Sequence, residues 1–169
     1  MRSIFPVPAA LAAFATLAAL AAVPALARGG SVIAAGGHWA AVLRQGQCDA
    51  QSLALDRPAP GKMRGLAGFT FAADRKPWGQ FHARLSRMPR PGATVIATIG
   101  GQPFLLVNRG NWAWSNGPAQ EHALIAAVRA ADSLRIRSRD RAGRRFTDRY
   151  ALDFAPTAID AAAARCSRP

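Results

Sequence analysis

Apolar and polar residues alternate through the middle of the chain with the two-residue period of β-strands. The segments GFTFAAD (68–74) and GQFHARLS (79–86) predict two strands that are separated by a turn containing Pro77. The segment ATVIATIGGQPFLLV (93–107) places β-rich runs on both sides of two glycines, which accept the positive φ angles of a tight hairpin turn. With a further turn before WAWS (112–115), these runs predict a three-stranded antiparallel meander.

The pattern then changes to a helical period and returns to alternation. In residues 116–132, Pro118 suits a first helical turn, and Leu124 and Val128 lie on one apolar stripe. Residues 133–150 predict a β-hairpin with a turn at 140–143, because leucine and isoleucine alternate with arginine before the turn.

The last segment, RYALDFAPTAIDAAAARC (149–166), ends a strand and begins a helix at Pro156. Ile159, Ala162 and Cys166 share one face of that helix, so the cysteine should point toward the domain. The patterns together predict an α+β fold, either an antiparallel β-sheet or a small β-sandwich of about seven strands, with two helices, one of them at the C-terminus.

The large apolar residues of these elements are the predicted core. They are Phe69, Phe71, Val95, Ile99, Phe104, Leu106, Leu124, Val128, Leu134, Ile136 and Phe146. Trp112 and Trp114 share one face of a strand, where core packing is the favoured interpretation and a surface stacking platform is the alternative.

The N-terminus has the pattern of a secretory signal peptide. Arg2 precedes an apolar, alanine-rich stretch, and the small-residue triplet Ala25-Leu26-Ala27 predicts cleavage after Ala27. A transmembrane anchor is the competing interpretation, but Pro24 interrupts the stretch and no second apolar span follows. We therefore expect a signal peptide at 1–27, a single β-rich domain at 28–169, and a periplasmic or secreted location.

Export changes the interpretation of the two cysteines, Cys48 and Cys166. In an exported protein they should form a disulfide, which would tie the last helix to the first strands. Closing a loop of about 119 residues stabilises a fold by roughly 4–5 kcal/mol on chain-entropy reasoning. A redox role is the alternative, but the chain has no Cys-x-x-Cys pair.

A family resemblance lies in the C-terminal part of the chain. The segments AAVRAADSLRIRS, RAGRRFTDRYAL and DFAPTAIDAAAARC follow one another as a helix and strand, a glycine turn and strand, and a terminal helix. In this order they resemble the C-terminal half of the invasion-associated locus B family of exported proteobacterial proteins. The chain departs from that family at Pro156 and in having only two cysteines, where many relatives carry additional pairs. The resemblance implies a β-rich periplasmic or outer-surface domain.

The charge of the chain favours anionic partners. It carries 22 basic and 9 acidic residues, a formal net charge of +13. Arginines concentrate in the predicted hairpin, and the candidate anion-binding residues are Arg135, Arg137, Arg139, Arg144 and Arg145. We expect anionic envelope components, or another envelope protein, as partners. Specific nucleic-acid binding is not expected, because no such motif is present. A solvated basic face is the simpler alternative.

No catalytic, cofactor-binding or metal-binding motif is recognisable. His38, His82 and His122 lack metal-ligand spacing. Asp148 and Asp153 flank Tyr150, and their favoured role is as surface counter-charges for the arginines and, for Asp153, as a helix-entry residue. The sequence thus favours a non-enzymatic envelope-binding protein without a cofactor, and the alternative is a periplasmic enzyme with an acid/base site near Tyr150.

Overall fold

The computed structural model describes residues 30–58 and 60–167, so the predicted signal peptide lies outside the described residues. The strands are β1 (Ser31–Gly36), β2 (Trp39–Arg44), β3 (Gln47–Leu53), β4 (Leu66–Ala72), β5 (Trp78–Arg84), β6 (Val95–Ile99), β7 (Gln102–Arg109), β8 (Trp112–Trp114), β9 (Ser133–Arg139) and β10 (Arg145–Ala151). The helices are α1 (Pro118–Arg129) and α2 (Ala155–Cys166).

All the described strands pair antiparallel in one sheet, in the order β1-β2-β3-β4-β5-β8-β7-β6-β9-β10. The α+β class, the three-stranded meander of β6 to β8 and the C-terminal helix are confirmed. The expected number of about seven strands is wrong, because the sheet has ten. The three strands without a sequence prediction are β1, β2 and β3.

Short polar turns connect these three strands. Gly37 and His38 separate β1 from β2, and Gln45 and Gly46 separate β2 from β3. Gln45 has φ 49° and Gly46 has φ 79°, so both central residues adopt the positive φ that a two-residue hairpin favours. Alanines occupy two positions in each of β1 and β2, and the contrast between large apolar and polar side chains along these strands is therefore weak.

The sheet curls so that its last strand approaches its first ones. The indole N–H of Trp39 on β2 donates to the carbonyl of Ala151 on β10 at 2.8 Å. The backbone N–H of Leu55, just after β3, donates to the carbonyl of Arg149 at 2.7 Å. These contacts hold the C-terminal end of β10 against β2 and against the residues that follow β3, and so enclose the core.

The eleven residues predicted to form the core are all buried. Phe69 and Phe81, on neighbouring strands, add an edge-to-face contact with ring centroids 5.2 Å apart. The core prediction for Trp112 and Trp114 is wrong: both lie on the outward face while Ala113 between them is buried. The two-residue period predicted for this strand is therefore correct, but the tryptophans lie on its outward face and not in the core.

Helix α2 packs against β1, β2, β3 and β4. Ile159, Ala162 and Cys166 are all buried, as the helical spacing predicts. Cys48 on β3 and Cys166 form a disulfide, which joins the last turn of α2 to the beginning of β3. The disulfide predicted from the sequence is therefore present in the structure.

Candidate functional site: a basic face and an adjoining cavity

The strands β9 and β10 present a row of arginines on their outward side. Arg135, Arg137 and Arg139 are exposed and alternate with buried residues along β9. On β10, Arg149 lies directly opposite Arg135, and Arg145 lies directly opposite Arg139. We call these five arginines the basic face. Like charges at directly opposed positions weaken a sheet, so this arrangement carries an electrostatic cost.

Arg144 is not part of this face. It lies in the turn before β10, where its Nε donates to Asp140 Oδ2 at 3.2 Å. Burial opposes ionisation of Asp140, but the hydrogen bonds from Arg144 outweigh it and hold the pKa of this carboxyl below its usual value. The side chain of Arg144 therefore has an acidic partner within the turn, unlike the arginines of β9.

Charge compensation differs within the basic face. The Nε of Arg149 lies 3.6 Å from a carboxylate oxygen of Asp56, and Arg139 donates to the carbonyl of Gly143 at 3.0 Å. Among the described residues, Arg135, Arg137 and Arg145 form no ion pair. These three guanidinium groups lie on the same outward side of the sheet and are therefore available to an external anion.

A groove of about 510 Å³ runs beside these arginines. It is lined by Arg137, Arg139 and Arg145 and, from the segment before β6, by Arg90 and Thr94. The backbone N–H of Arg90 donates to the carbonyl of Arg139 at 3.0 Å, which fixes this exposed arginine beside β9. Sequence reasoning missed Arg90, because a loop arginine carries no periodicity that would assign it to a strand.

A second cavity, of about 790 Å³, opens at the turn end of the same hairpin. Asp148 lies in its wall and is only 3% exposed. The backbone N–H of Ser86 donates to Asp148 Oδ2 at 2.9 Å and the Ser86 hydroxyl donates to Oδ1 at 2.5 Å. Burial raises the pKa of Asp148, and the two hydrogen bonds from Ser86 oppose that rise. The expected surface role of Asp148 is therefore wrong.

The two aspartates that flank Tyr150 in the sequence are not brought together. Asp153 lies at the surface, where one of its oxygens is 2.7 Å from His38 Nδ1. Tyr150 is buried, and its hydroxyl has no hydrogen-bond partner among the described residues. Burial, and then the charge of Asp148, raises the pKa of Tyr150 above its usual value. Only Asp148 therefore belongs with Tyr150, and Asp153 does not complete an acid/base pair.

A polar cluster lies on a different part of the sheet, on the outward side of β3, β4 and β5. The Thr70 hydroxyl donates to Asp49 Oδ1 at 2.5 Å and lies 3.1 Å from His82 Nδ1. Burial lowers the pKa of His82, and the charge of Asp49 opposes this effect. The rings of Trp112 and Trp114 stack beside the cluster with centroids 6.4 Å apart. The Thr70 hydroxyl therefore links Asp49 and His82 by hydrogen bonds within the fold.

No protein-family model, no curated protein and no solved structure matches the chain. Within residues 30–58 and 60–167, no three His, Cys, Asp or Glu side chains are grouped so that they could hold a metal ion. In the same residues, no helix combines the length and the apolar character needed to cross a membrane.

Proposed function

We propose that the protein is an exported, non-enzymatic envelope protein of the invasion-associated locus B type, and that its basic face binds anionic groups of the cell envelope. One observation carries the proposal: Arg135, Arg137 and Arg145 are exposed on the same outward side of two paired strands and have no ion pair in the described chain. The N-terminal signal pattern supports a periplasmic or secreted location.

The chemistry of the face favours phosphate groups. A guanidinium donates two parallel hydrogen bonds to a phosphate or carboxylate, and it is less strongly hydrated than an ammonium group. Arg137 and Arg145 occupy diagonal positions on the two strands, where side chains lie about 7–8 Å apart and long side chains can still reach one phosphate together. An anion would also remove the repulsion between Arg139 and Arg145, which face each other across the ladder.

The distribution of charge distinguishes this face from a uniformly basic surface. The outward positions of β9 and β10 hold Ser133, Thr147 and Ala151 besides the five arginines, so the face contains no acidic residue. Some arginines elsewhere have local partners: Arg129 pairs with Asp160, and the guanidinium of Arg75 lies 4.6 Å from the ring centre of Trp78. A partner with phosphates, such as lipopolysaccharide or an anionic lipid, matches the unpaired group.

The proposal is tested by sedimentation with vesicles that contain either zwitterionic lipid alone or added anionic lipid. The protein should bind only the anionic vesicles, and binding should fall steeply as salt is added. The variant R135S/R137S/R145S should lose most of this binding, since each basic residue near an anionic membrane contributes about 1 kcal/mol.

The matched control is R44S/R109S/R165S, which removes the same charge from three exposed arginines on β2, β7 and α2. This control should retain most of the binding. Equal losses in the two triple variants would replace a defined face with a diffuse positive surface, and salt-insensitive binding would refute the electrostatic mechanism.

A further inference from the structure

The cavity of about 790 Å³ at the turn end of the β9–β10 hairpin combines two kinds of surface. Its apolar lining comes from loops and from β10: Pro58, Met63, Met88, Ala142 and Phe146. Its basic lining is Arg57, Lys62, Arg87, Arg141, Arg144 and Arg149. The volume is within the range of pockets that bury small organic ligands.

The apolar part includes side chains that water still reaches. Met63 is 50% exposed and Met88 is 37% exposed, although both line a concave surface. Exposed apolar area in a concavity gains free energy when an apolar ligand covers it, and methionine adapts its shape to irregular ligands. The apolar lining therefore favours a flexible hydrocarbon group as the occupant.

The charged part divides into paired and unpaired groups. Asp140 lies between Arg87 and Arg144, with nitrogen–oxygen distances of 3.4 and 3.1 Å. Arg149 lies 3.6 Å from Asp56, and in the described chain the remaining lining cations Arg57, Lys62 and Arg141 form no ion pair. The cavity thus offers unpaired positive charges that an anionic group can neutralise.

Asp148 limits where that anionic group can lie. Its carboxyl group is buried in the cavity wall and is held by two hydrogen bonds from Ser86. A second negative charge beside it would be repelled, and more strongly than in water, because the site is poorly solvated. The anionic head should therefore lie at Arg57, Lys62 and Arg141, with the apolar part against the methionines.

We propose that this cavity binds an anionic amphiphile with a single acyl chain, with its head at Arg57, Lys62 and Arg141 and its chain against Met63, Met88 and Phe146. The inference deepens the proposed function and rests on it only in the choice of an anionic envelope component as ligand. The basic face and the cavity contain different unpaired cations, so each site can be removed separately.

The test uses dansyl-undecanoic acid, whose fluorescence rises when its chain enters an apolar site. The protein should bind it saturably, and dodecanoate should displace it, whereas inorganic phosphate and methyl dodecanoate should displace it poorly. The variant M63Q/M88Q should weaken binding at least about tenfold, because it removes apolar contact area. The variant R57S/K62S/R141S should weaken binding of the acid and remove its preference over the methyl ester.

The control L53Q/L105Q changes two apolar side chains of similar exposure that do not line the cavity, and it should bind as the unmodified protein does. R135S/R137S/R145S should also retain probe binding while it loses vesicle binding, which separates failure of this inference from failure of the proposed function. Unfolding curves in urea establish that each variant is folded. Equal weakening by M63Q/M88Q and L53Q/L105Q, or displacement by phosphate as effective as by dodecanoate, would overturn the inference.

Discussion

Two outward surfaces of the same sheet, one on β3 to β5 and the other on β9 and β10, differ in how their polar side chains are paired. On β3, β4 and β5, the hydroxyl of Thr70 lies between Asp49 and His82 and connects all three side chains. On β9 and β10, arginine faces arginine at two positions of the register. Both surfaces come from strands that alternate buried and exposed residues, so the strand pattern does not account for the difference.

The difference between the two surfaces indicates where an external partner gains the most free energy on binding. A hydrogen bond between two side chains replaces the hydrogen bonds that each had with water, and a satisfied cluster offers a ligand little further stabilisation. An uncompensated row of like charges gains from any anion that approaches it. Hence we locate binding on the β9–β10 hairpin and assign a structural role to the Asp49–Thr70–His82 cluster.

The largest expected effect concerns the disulfide, which supports only the first of these surfaces. Cys48 lies on β3, and α2 packs mainly against β1 to β4. The variant C48A/C166A should lose about 2–5 kcal/mol of unfolding free energy in urea, because its unfolded chain is no longer cross-linked. Under conditions where the variant remains folded, vesicle binding should be unchanged. A loss of binding by the folded variant would contradict the independence of the basic face from this scaffold.

The second expected effect compares one polar residue from each surface. Asp49→Ala removes the acceptor of the Thr70 hydroxyl and leaves His82 as the remaining partner of Thr70, so it should cost about 1 kcal/mol, the net value of one hydrogen bond. Arg137→Ala removes a side chain with no ion pair and should change stability by less than about 0.5 kcal/mol. Urea unfolding measures both changes. Similar losses would show that Arg137 is also satisfied within the fold.

The sequence predicted most of the fold because alternation and helical periodicity are local signals. The eleven aliphatic and phenylalanine side chains assigned to the core are buried, whereas Trp112 and Trp114 are not, and Pro156 lies in the first turn of a helix. The first three strands were not delineated, since alanine fills several of their inward positions, as at Ala41 and Ala50. A side chain this small buries little area and gives a weak periodic contrast. The two-residue turn at Gln45-Gly46 was the available signal.

The site was less predictable, because it depends on which strands become neighbours. Alternation placed Arg135, Arg137 and Arg139 on one side of β9, but the ion pair between Arg144 and Asp140 depends on the geometry of the turn. Asp148 contacts Ser86 across 62 positions of sequence, and no local pattern encodes that contact. The two lining methionines reach the cavity from separate loops. Long-range contacts of this kind come from the curl of the sheet.

The smallest expected effect is the pH dependence of the first surface. Because burial lowers the pKa of His82 in the folded state, the unfolded chain binds more protons than the folded protein below pH about 6.5. His82 therefore does not reduce the free energy of unfolding above pH about 6.5. Below that pH the free energy of unfolding falls as the pH falls, with a slope of at most about 1.4 kcal/mol per pH unit. Urea unfolding between pH 5 and 7.5 measures it.

The control for that pH dependence is another histidine. His82→Gln should flatten the curve between pH 5 and 7.5, whereas His122→Gln, at an exposed position of α1, should leave its shape unchanged. The charge of Asp49 opposes the lowering of the His82 pKa by burial. The free energy of unfolding should therefore fall less steeply with falling pH than it would for a histidine affected by burial alone. Identical curves for both variants would assign the pH dependence to other groups.

The central claim, that the basic face is where an anion binds, is tested most directly by nuclear magnetic resonance of the arginine Nε–H groups during titration with tripolyphosphate. We predict that the Nε–H resonances of Arg135, Arg137 and Arg145 shift first and saturably, and that these shifts become smaller as salt is added. Arg44, Arg109 and Arg165 should shift little over the same range. Equal and unsaturable shifts in both groups of arginines would contradict a defined anion site on β9 and β10.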